Sequence, residues 1–417
     1  MERLNDARIL IYSHDSFGLG HLRRCRAIAH ALVDRFKGVS VLILSGSPII
    51  GSFDYLPRVD FVRIPGVIKL HNGEYQSLGL HIALDQTMAM RAAIIRQTAE
   101  SFKPDLFLVD KEPLGLNGEV ASTLRMLKAK GTTLVLGLRD IMDDPVQLLR
   151  EWNRKRAMPA LENLYDEIWV YGLESFADPL AGVVCPASVR RKMVYTGYLR
   201  RSVPHLSAPR TAPVDGQPYV LVTVGGGEDG VSVVDWVLRA YEEDPAIPLA
   251  SVLLLGPFMA PDRQQMFRER AARLGRIDVV TFDTHVEFLI ERAAGLVAMA
   301  GYNTFCEILS LDKRAILIPR MKPRLEQFMR ARRAAELGLV HMLDPGNVGD
   351  TAVMAGALRA LARQPAPSEC GATRMLEGLQ VITGLVAAHV RDTAPLASGA
   401  WRAMPARKQR LERRPRP

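Results

Sequence analysis

Short runs of apolar residues alternate with longer segments of helical period along most of this chain, the pattern of parallel strands joined by helical crossovers. Runs at 8–13, 39–45, 60–64, 105–109, 132–138 and 167–171 predict six strands in the first half. An interval at 201–218, rich in proline and poor in periodicity, reads as a linker. The rhythm then restarts, with runs at 219–224, 251–255, 278–281, 295–299, 314–318 and 340–343. The pattern predicts an α/β protein of two Rossmann-like, doubly wound domains, residues 1–200 and 219–385, facing one another across a cleft, with a C-terminal segment at 386–417. A length of 417 residues suits two domains of about 150–200 residues each. No internal repeat is visible, which excludes solenoids and propellers.

Composition narrows the class without changing this picture. Hydrophobic residues at 48% and charged residues at 24% are those of an ordinary globular protein. No apolar run approaches the ~18 residues of a membrane span. The start, MERLNDARILIYS, passes directly into a strand without the features of a signal peptide, so a cytoplasmic location is expected. Cys25, Cys185, Cys306 and Cys370 are far apart and lack ligand spacing, which argues against zinc and against a disulfide framework. The net charge is +9, but residues 401–417 alone carry seven basic residues and one acidic, so the basicity belongs to the tail. Such a tail, without apolar periodicity, is expected to be disordered. It reads equally as a solvated end with no partner or as a peripheral contact with the inner face of a membrane, worth about 1 kcal/mol per charge. The body shows no basic stripe interleaved with aromatics, so no nucleic-acid partner is expected.

The polar clusters that carry chemistry lie just after predicted strands, on the sheet edge where open α/β folds bind ligands. The first strand ends at HDSFGLGH, where Gly18 and Gly20 allow a tight turn and His21 opens a helix. An imidazole there could accept a proton from a hydroxyl, or could simply cap or pack. Arg23 and Arg24 could meet phosphates or form the solvated face of that helix. The spacing does not satisfy GxGxxG, because Arg23 stands where the third glycine belongs. The second domain opens alike, with Gly225, Gly226 and Gly227 between strand and helix, a cradle for a pyrophosphate. Residues 301–307 read GYNTFCE, so Gly301 bounds a turn, Asn303 and Thr304 can cap a helix, and Glu307 follows one turn later, able to hold a vicinal diol. Residues 323–331 read PRLEQFMRA, placing Glu326 and Gln327 at the next helix start, where acceptor and amide suit sugar hydroxyls. No Asp-x-Asp occurs, the nearest approach being Asp110 and Glu112.

These motifs resemble those of the GT-B glycosyltransferases, and within them the family 28-like group that includes the bacterial N-acetylglucosaminyltransferase forming lipid II. The resemblance runs from about 219 to 343, through VGGG, HVEFLIERAAGLVAMAGYNTFCEIL and IPRMKPRLEQFMRARRAAELGLV. In the first half it rests on GLGH at 18–21, with LVDKEPLG and GLRDIMDDP similar to a group of predicted bacterial glycosyltransferases. It implies a nucleotide-sugar donor, UDP-linked, held by the second domain, a hydroxyl acceptor, inversion, and no metal or cofactor. Glu307 then matches the ribose contact, Gly225–Gly227 with Asn303 and Thr304 the phosphate contacts, and Glu326 with Gln327 the donor-sugar contacts. Residues 285–288, including His285 and Val286, match the loop against the base, and His21 the base or acceptor contact. Glu326 stands where the lipid II enzyme has glutamine, and the acceptor half lacks that enzyme's membrane-facing signature. The GxGHxxR pattern ending at Arg24 is also similar to UDP-sugar hydrolases of pseudaminic acid synthesis, in which His21 would activate water. A degenerate, non-catalytic nucleotide-sugar binder is the third reading.

Overall fold

The computed structural model describes residues 2–14, 20–69, 75–203, 213–227 and 229–392. Gly18 and the basic tail therefore lie outside the described residues. The first half forms β1 (Glu2–Ser13), β2 (Phe36–Ser45), β3 (Val59–Arg63), β4 (Val67–Lys69), β5 (Tyr75–Ser77), β6 (Leu106–Asp110), β7 (Thr133–Arg139), β8 (Glu167–Tyr171) and β9 (Met193–Tyr195). Seven of these build one parallel sheet in the order β3-β2-β1-β6-β7-β8-β9, while β4 and β5 pair as a small antiparallel hairpin. The second half forms β10 (Tyr219–Thr223), β11 (Ala250–Leu254), β12 (Ile277–Val280), β13 (Gly295–Ala298), β14 (Ala315–Leu317) and β15 (His341–Met342). They make a six-stranded parallel sheet, β12-β11-β10-β13-β14-β15. In each sheet the strand order reverses beside the first strand, at β1/β6 and at β10/β13.

The apolar runs are nearly continuous because both faces of each sheet are covered. In β1, Ile9 and Ile11 pack with Leu22, Ile28 and Leu32 of the helix Gly20–Arg35. Leu10 and Tyr12 turn to the other face, with Phe107, Val109, Leu134 and Leu136. Each predicted strand is present within a few residues of its expected place. The hairpin β4–β5 and strand β9 are additions, at three residues apiece too short to show a period. The chain also returns to its first half: the helix Gly378–Asp392 packs against Gly20–Arg35, β1 and β6, with Arg35 donating to Thr383 Oγ1 at 2.8 Å. Among the described residues no helix is long and apolar enough to cross a membrane.

The two halves meet over a buried seam. Phe176 and Tyr198 from the first half pack with Tyr302 and Phe305 from the second, at ring separations of 5.2–6.0 Å. Beside them Arg330 donates two hydrogen bonds to Asp140, at 2.6 and 2.8 Å, and a third to Ala300 O at 2.9 Å. Tyr198 Oη donates to the same carboxylate at 2.9 Å. Asp140 and Arg330 are both fully buried. Removing one partner of such a pair strands the other charge, so Asp140→Ala should lose about 3–5 kcal/mol in equilibrium denaturation. Arg332→Ala, which removes an exposed pair with Glu336, should change stability by less than about 0.5 kcal/mol. Equal effects from the two variants would contradict this account of the seam.

Candidate active site

Because β1 and β6 are neighbours, the helix that follows β1 begins beside the end of β6. This places His21, in the first turn of Gly20–Arg35, against Asp110, the last residue of β6. His21 Nδ1 lies 2.6 Å from Asp110 Oδ2. Arg24, on the same helix face, donates Nε to Oδ1 at 2.9 Å and a terminal nitrogen to Oδ2 at 2.6 Å. The carboxylate accepts from both, which fixes the imidazole as the Nδ1–H tautomer. The Arg24 nitrogen also lies 3.0 Å from His21 Nδ1, but two donors do not bond to each other, so that distance only closes the triangle. Burial opposes ionisation of Asp110, yet Arg24 and His21 outweigh it and hold the carboxyl well below its usual range. Burial pushes His21 down to about 4, with Asp110 opposing only in part. At neutral pH the imidazole is therefore uncharged, and Nε2 makes no hydrogen bond among the described residues. The reading of Arg24 as part of a solvated helix face is corrected: it is buried, because the helix face that carries it is the one packed on the sheet. Glu112 takes Lys155 at 2.7 Å and Lys111 at 3.2 Å, so Asp110 and Glu112 each face cations.

The second sheet contributes from its own reversal point. After β10, Gly225 and Gly227 adopt φ of 65° and 96°, the left-handed region that favours glycine. A Cβ on Gly227 would stand 2.3 Å from Leu255 O, and one on Gly226 would press on Phe258. After β13, Gly301 is the N-cap of the helix Tyr302–Ser310, with no side-chain cap. The expectation that Asn303 and Thr304 cap this helix is thus corrected, since they lie inside its first turn. Asn303 instead bridges the halves, donating to Gly20 O at 2.8 Å and accepting from Arg201 at 2.8 Å. Thr304 lines the cleft beside the glycine loop.

One turn on, buried Glu307 lies 2.5 Å from an Arg23 nitrogen, an ion contact without an aligned hydrogen bond. Arg23 also donates to Glu287 at 2.7 Å, so it too is spent on carboxylates and not on solvent. Burial and the nearby Glu287 raise the Glu307 pKa, with Arg23 opposing. At the helix Glu326–Glu336, Arg320 donates its side chain to Glu326 Oε1 at 2.8 Å and its backbone N–H to Gln327 Oε1 at 3.2 Å. Val286 lines the cleft, whereas His285, the N-cap of Val286–Arg292, reaches across to Asp54 at 3.0 Å.

These groups enclose a cleft of about 290 Å³, lined by Gly20, His21, Gly225, Thr304, Glu307 and Glu326 among others, with an adjoining recess of about 200 Å³ beneath the glycine loop. Buried polar atoms almost always find partners. Among the described residues Glu326 Oε2, Arg320 Nε and Arg139 Nε, all on cleft residues, have no hydrogen-bond partner, and Glu307 Oε1 has only its ion contact with Arg23. The convergence of unsatisfied donors and acceptors on one cavity marks the place of a polar ligand. Two lining residues, Arg139 and Arg320, were not anticipated from the sequence. Arg139 carried a usable signal, since GLRD follows a predicted strand as the other polar clusters do. Asp110 was noted only as a metal-ligand imitation, and its pairing with His21 depends on strand order.

The sequence matches no family model and no curated protein. Its fold does match solved structures. The glycosyltransferase of kitacinnamycin covers 93% of this chain and 100% of its own, with TM-score 0.61 and 16% identity. The Phytolacca americana UGT2 complexed with UDP-2fluoro-glucose and pterostilbene covers 94% and 96%, with TM-score 0.56 and 14% identity. The Acinetobacter baumannii MurG covers 94% and 96%, with TM-score 0.50 and 14% identity. At such identities the likeness establishes the fold, and the fold is GT-B.

The His21 geometry is testable without any substrate. In the folded protein the imidazole stays neutral down to about pH 4 and takes up its proton only below that. A pH titration of the histidine ring signals by NMR, with His21 assigned through His21→Gln, should show this inflection. An inflection near the ordinary value of about 6.5 would contradict the buried, neutral assignment.

Proposed function

We propose that this chain is a glycosyltransferase that moves a sugar from a nucleoside diphosphate, UDP, to a hydroxyl acceptor, with inversion and without a metal. The observation that carries the reading is the facing of two halves across one cleft. A neutral histidine, oriented by a buried carboxylate, stands opposite a glycine cradle and two partly satisfied glutamates. The Asp110 contact aims Nε2 at the cleft, where it accepts the acceptor's hydroxyl proton. The acceptor oxygen then attacks the anomeric carbon from the face opposite the diphosphate. The bond from that carbon to the phosphate oxygen breaks, its electron pair leaves with the diphosphate, and one displacement inverts the centre.

The donor roles are assigned to residues as the cleft arranges them. The backbone amides of Gly225–Gly227 and the start of the helix after Gly301, with Thr304, receive the diphosphate. Glu307 accepts from the ribose hydroxyls, which requires Arg23 to share or release that carboxylate. Glu326 and Gln327 hold the sugar, their geometry set by Arg320. Val286 and the loop before it flank the base. Asn303 acts by joining the halves and not by touching phosphate. UDP is proposed because the UGT2 structure holds a UDP-sugar on the same fold. Metal independence is proposed from the missing Asp-x-Asp of the sequence and the family resemblance. Hydrolysis of the same donor would use the same base on water.

Incubation with a panel of nucleotide-sugars, with and without hydroxyl acceptors, separates these outcomes by nucleoside diphosphate release. The expected result is release that depends on acceptor. Rapid release without acceptor would replace transfer by hydrolysis, and tight binding with no release would make the chain a binding protein. His21→Ala should lower turnover by about 10²–10⁴-fold while leaving donor affinity within a small factor. A donor-affinity loss of comparable size would remove His21 from the role of base.

A further inference from the structure

Among the described residues four arginines line the cleft, and three of them already hold carboxylates. Arg24 is paired with Asp110, Arg23 with Glu287 and Glu307, and Arg320 with Asp229 and Glu326. Arg139 makes no hydrogen bond or ion pair among the described residues, and its Nε is buried without an acceptor. It is the last residue of β7, beside the end of β6, so it reaches the carboxyl edge of the first sheet next to the His21–Asp110 pair. Neither adjacent carboxylate is free to turn to it. Asp110 is held by His21 and Arg24, and Asp140 accepts two bonds from Arg330 and one from Tyr198.

The charges around Arg139 sharpen the point. Burial pushes its pKa down to about 10; Glu326 across the cleft opposes this, while Arg330, Arg24 and Arg324 add to it. The guanidinium lies among three others, and the carboxylate that faces it, Glu326, attracts it across the cleft but bonds through Oε1 to Arg320 and makes no hydrogen bond or ion pair with Arg139 among the described residues. Such an arrangement costs stability and is relieved by an anion. The planar fork of arginine suits phosphate oxygens.

We propose that Arg139 binds the sugar-linked phosphate of the donor, and neutralises it as the bond to the anomeric carbon breaks. The electron pair of that bond comes to rest on a phosphate oxygen that accepts from the guanidinium, and no proton is transferred. The donor, held otherwise by the second domain, is thus activated by a group of the first, so leaving-group stabilisation is complete only when the halves are joined. This inference rests on the nucleotide-sugar reading above. A carboxylate carried by the donor sugar would satisfy the same guanidinium, and the experiment separates the two sources.

The full chain, with Arg139→Gln and Arg139→Lys, is titrated calorimetrically with UDP, UMP, uridine, UDP-glucose and UDP-glucuronic acid, and thermal melting checks each variant's fold. Arg139→Gln should lose about 10- to 100-fold in UDP affinity, as for a hydrogen bond between charged groups, with UMP and uridine unchanged. Arg139→Lys should keep part of the UDP affinity and serves alone should the glutamine variant fail to fold. Unchanged UDP affinity in the variant that folds would overturn the proposal. A loss confined to UDP-glucuronic acid would overturn it equally, by placing the anion on the sugar. If the unaltered chain binds UDP no better than uridine, the nucleotide-sugar reading itself fails and takes this inference with it.

Discussion

The ion pair between Asp140 and Arg330 sets the relation of the two halves on which everything else in the cleft depends. Both groups are withdrawn from water, and the carboxylate accepts two hydrogen bonds from Arg330, one from Tyr198 and one from the Ile141 backbone N–H, while the guanidinium also reaches Ala300 O. A pair of this kind gives little net stability compared with apolar packing. What it imposes is geometry, since any displacement of one half would leave a buried charge unpaired. The same seam carries Tyr302, whose ring centre lies 5.4 Å from the guanidinium of Arg24 and 5.8 Å from that of Arg330. One aromatic ring thereby links the arginine that holds Asp110 to the arginine that holds the two halves.

The chemistry follows from where each sheet reverses its strand order. The first sheet brings a helix start to the end of β6, which gives His21 its carboxylate. The second brings a glycine loop and the Gly301 turn together at β10 and β13. Burial then decides the protonation states: it keeps His21 neutral despite an adjacent carboxylate, and raises Glu307 despite Arg23. A neutral base and a cavity of partly satisfied polar atoms are thus consequences of two parallel sheets whose strand-end clusters meet at one cleft.

Much of the fold was legible in the sequence because parallel strands buried on both faces announce themselves as apolar runs. The helix–loop edges were legible for the same reason, and Gly225, Gly301, Glu307 and Glu326 all lie where strand ends predicted them. What escaped was set by contacts between distant segments. Asn303 read as a helix cap, but its amide is committed to Gly20 and Arg201 from the other half. Arg24 read as a phosphate contact or part of a solvated helix face, but it is buried against Asp110. His21 gave no sign of its partner, because Asp110 lies 89 residues away and only strand order joins them. The return of the helix Gly378–Asp392 to the first half is of the same kind, since its period shows a buried face without naming what covers it.

A structure of the chain in complex with UDP tests the central claim most directly. The account predicts the nucleotide in the cleft between the halves, its ribose hydroxyls on Glu307, its phosphates on Gly225–Gly227, and its base beside Val286. Nucleotide bound elsewhere, such as in the cavity lined by Met88, Leu116 and Arg154 within the first half, would contradict it.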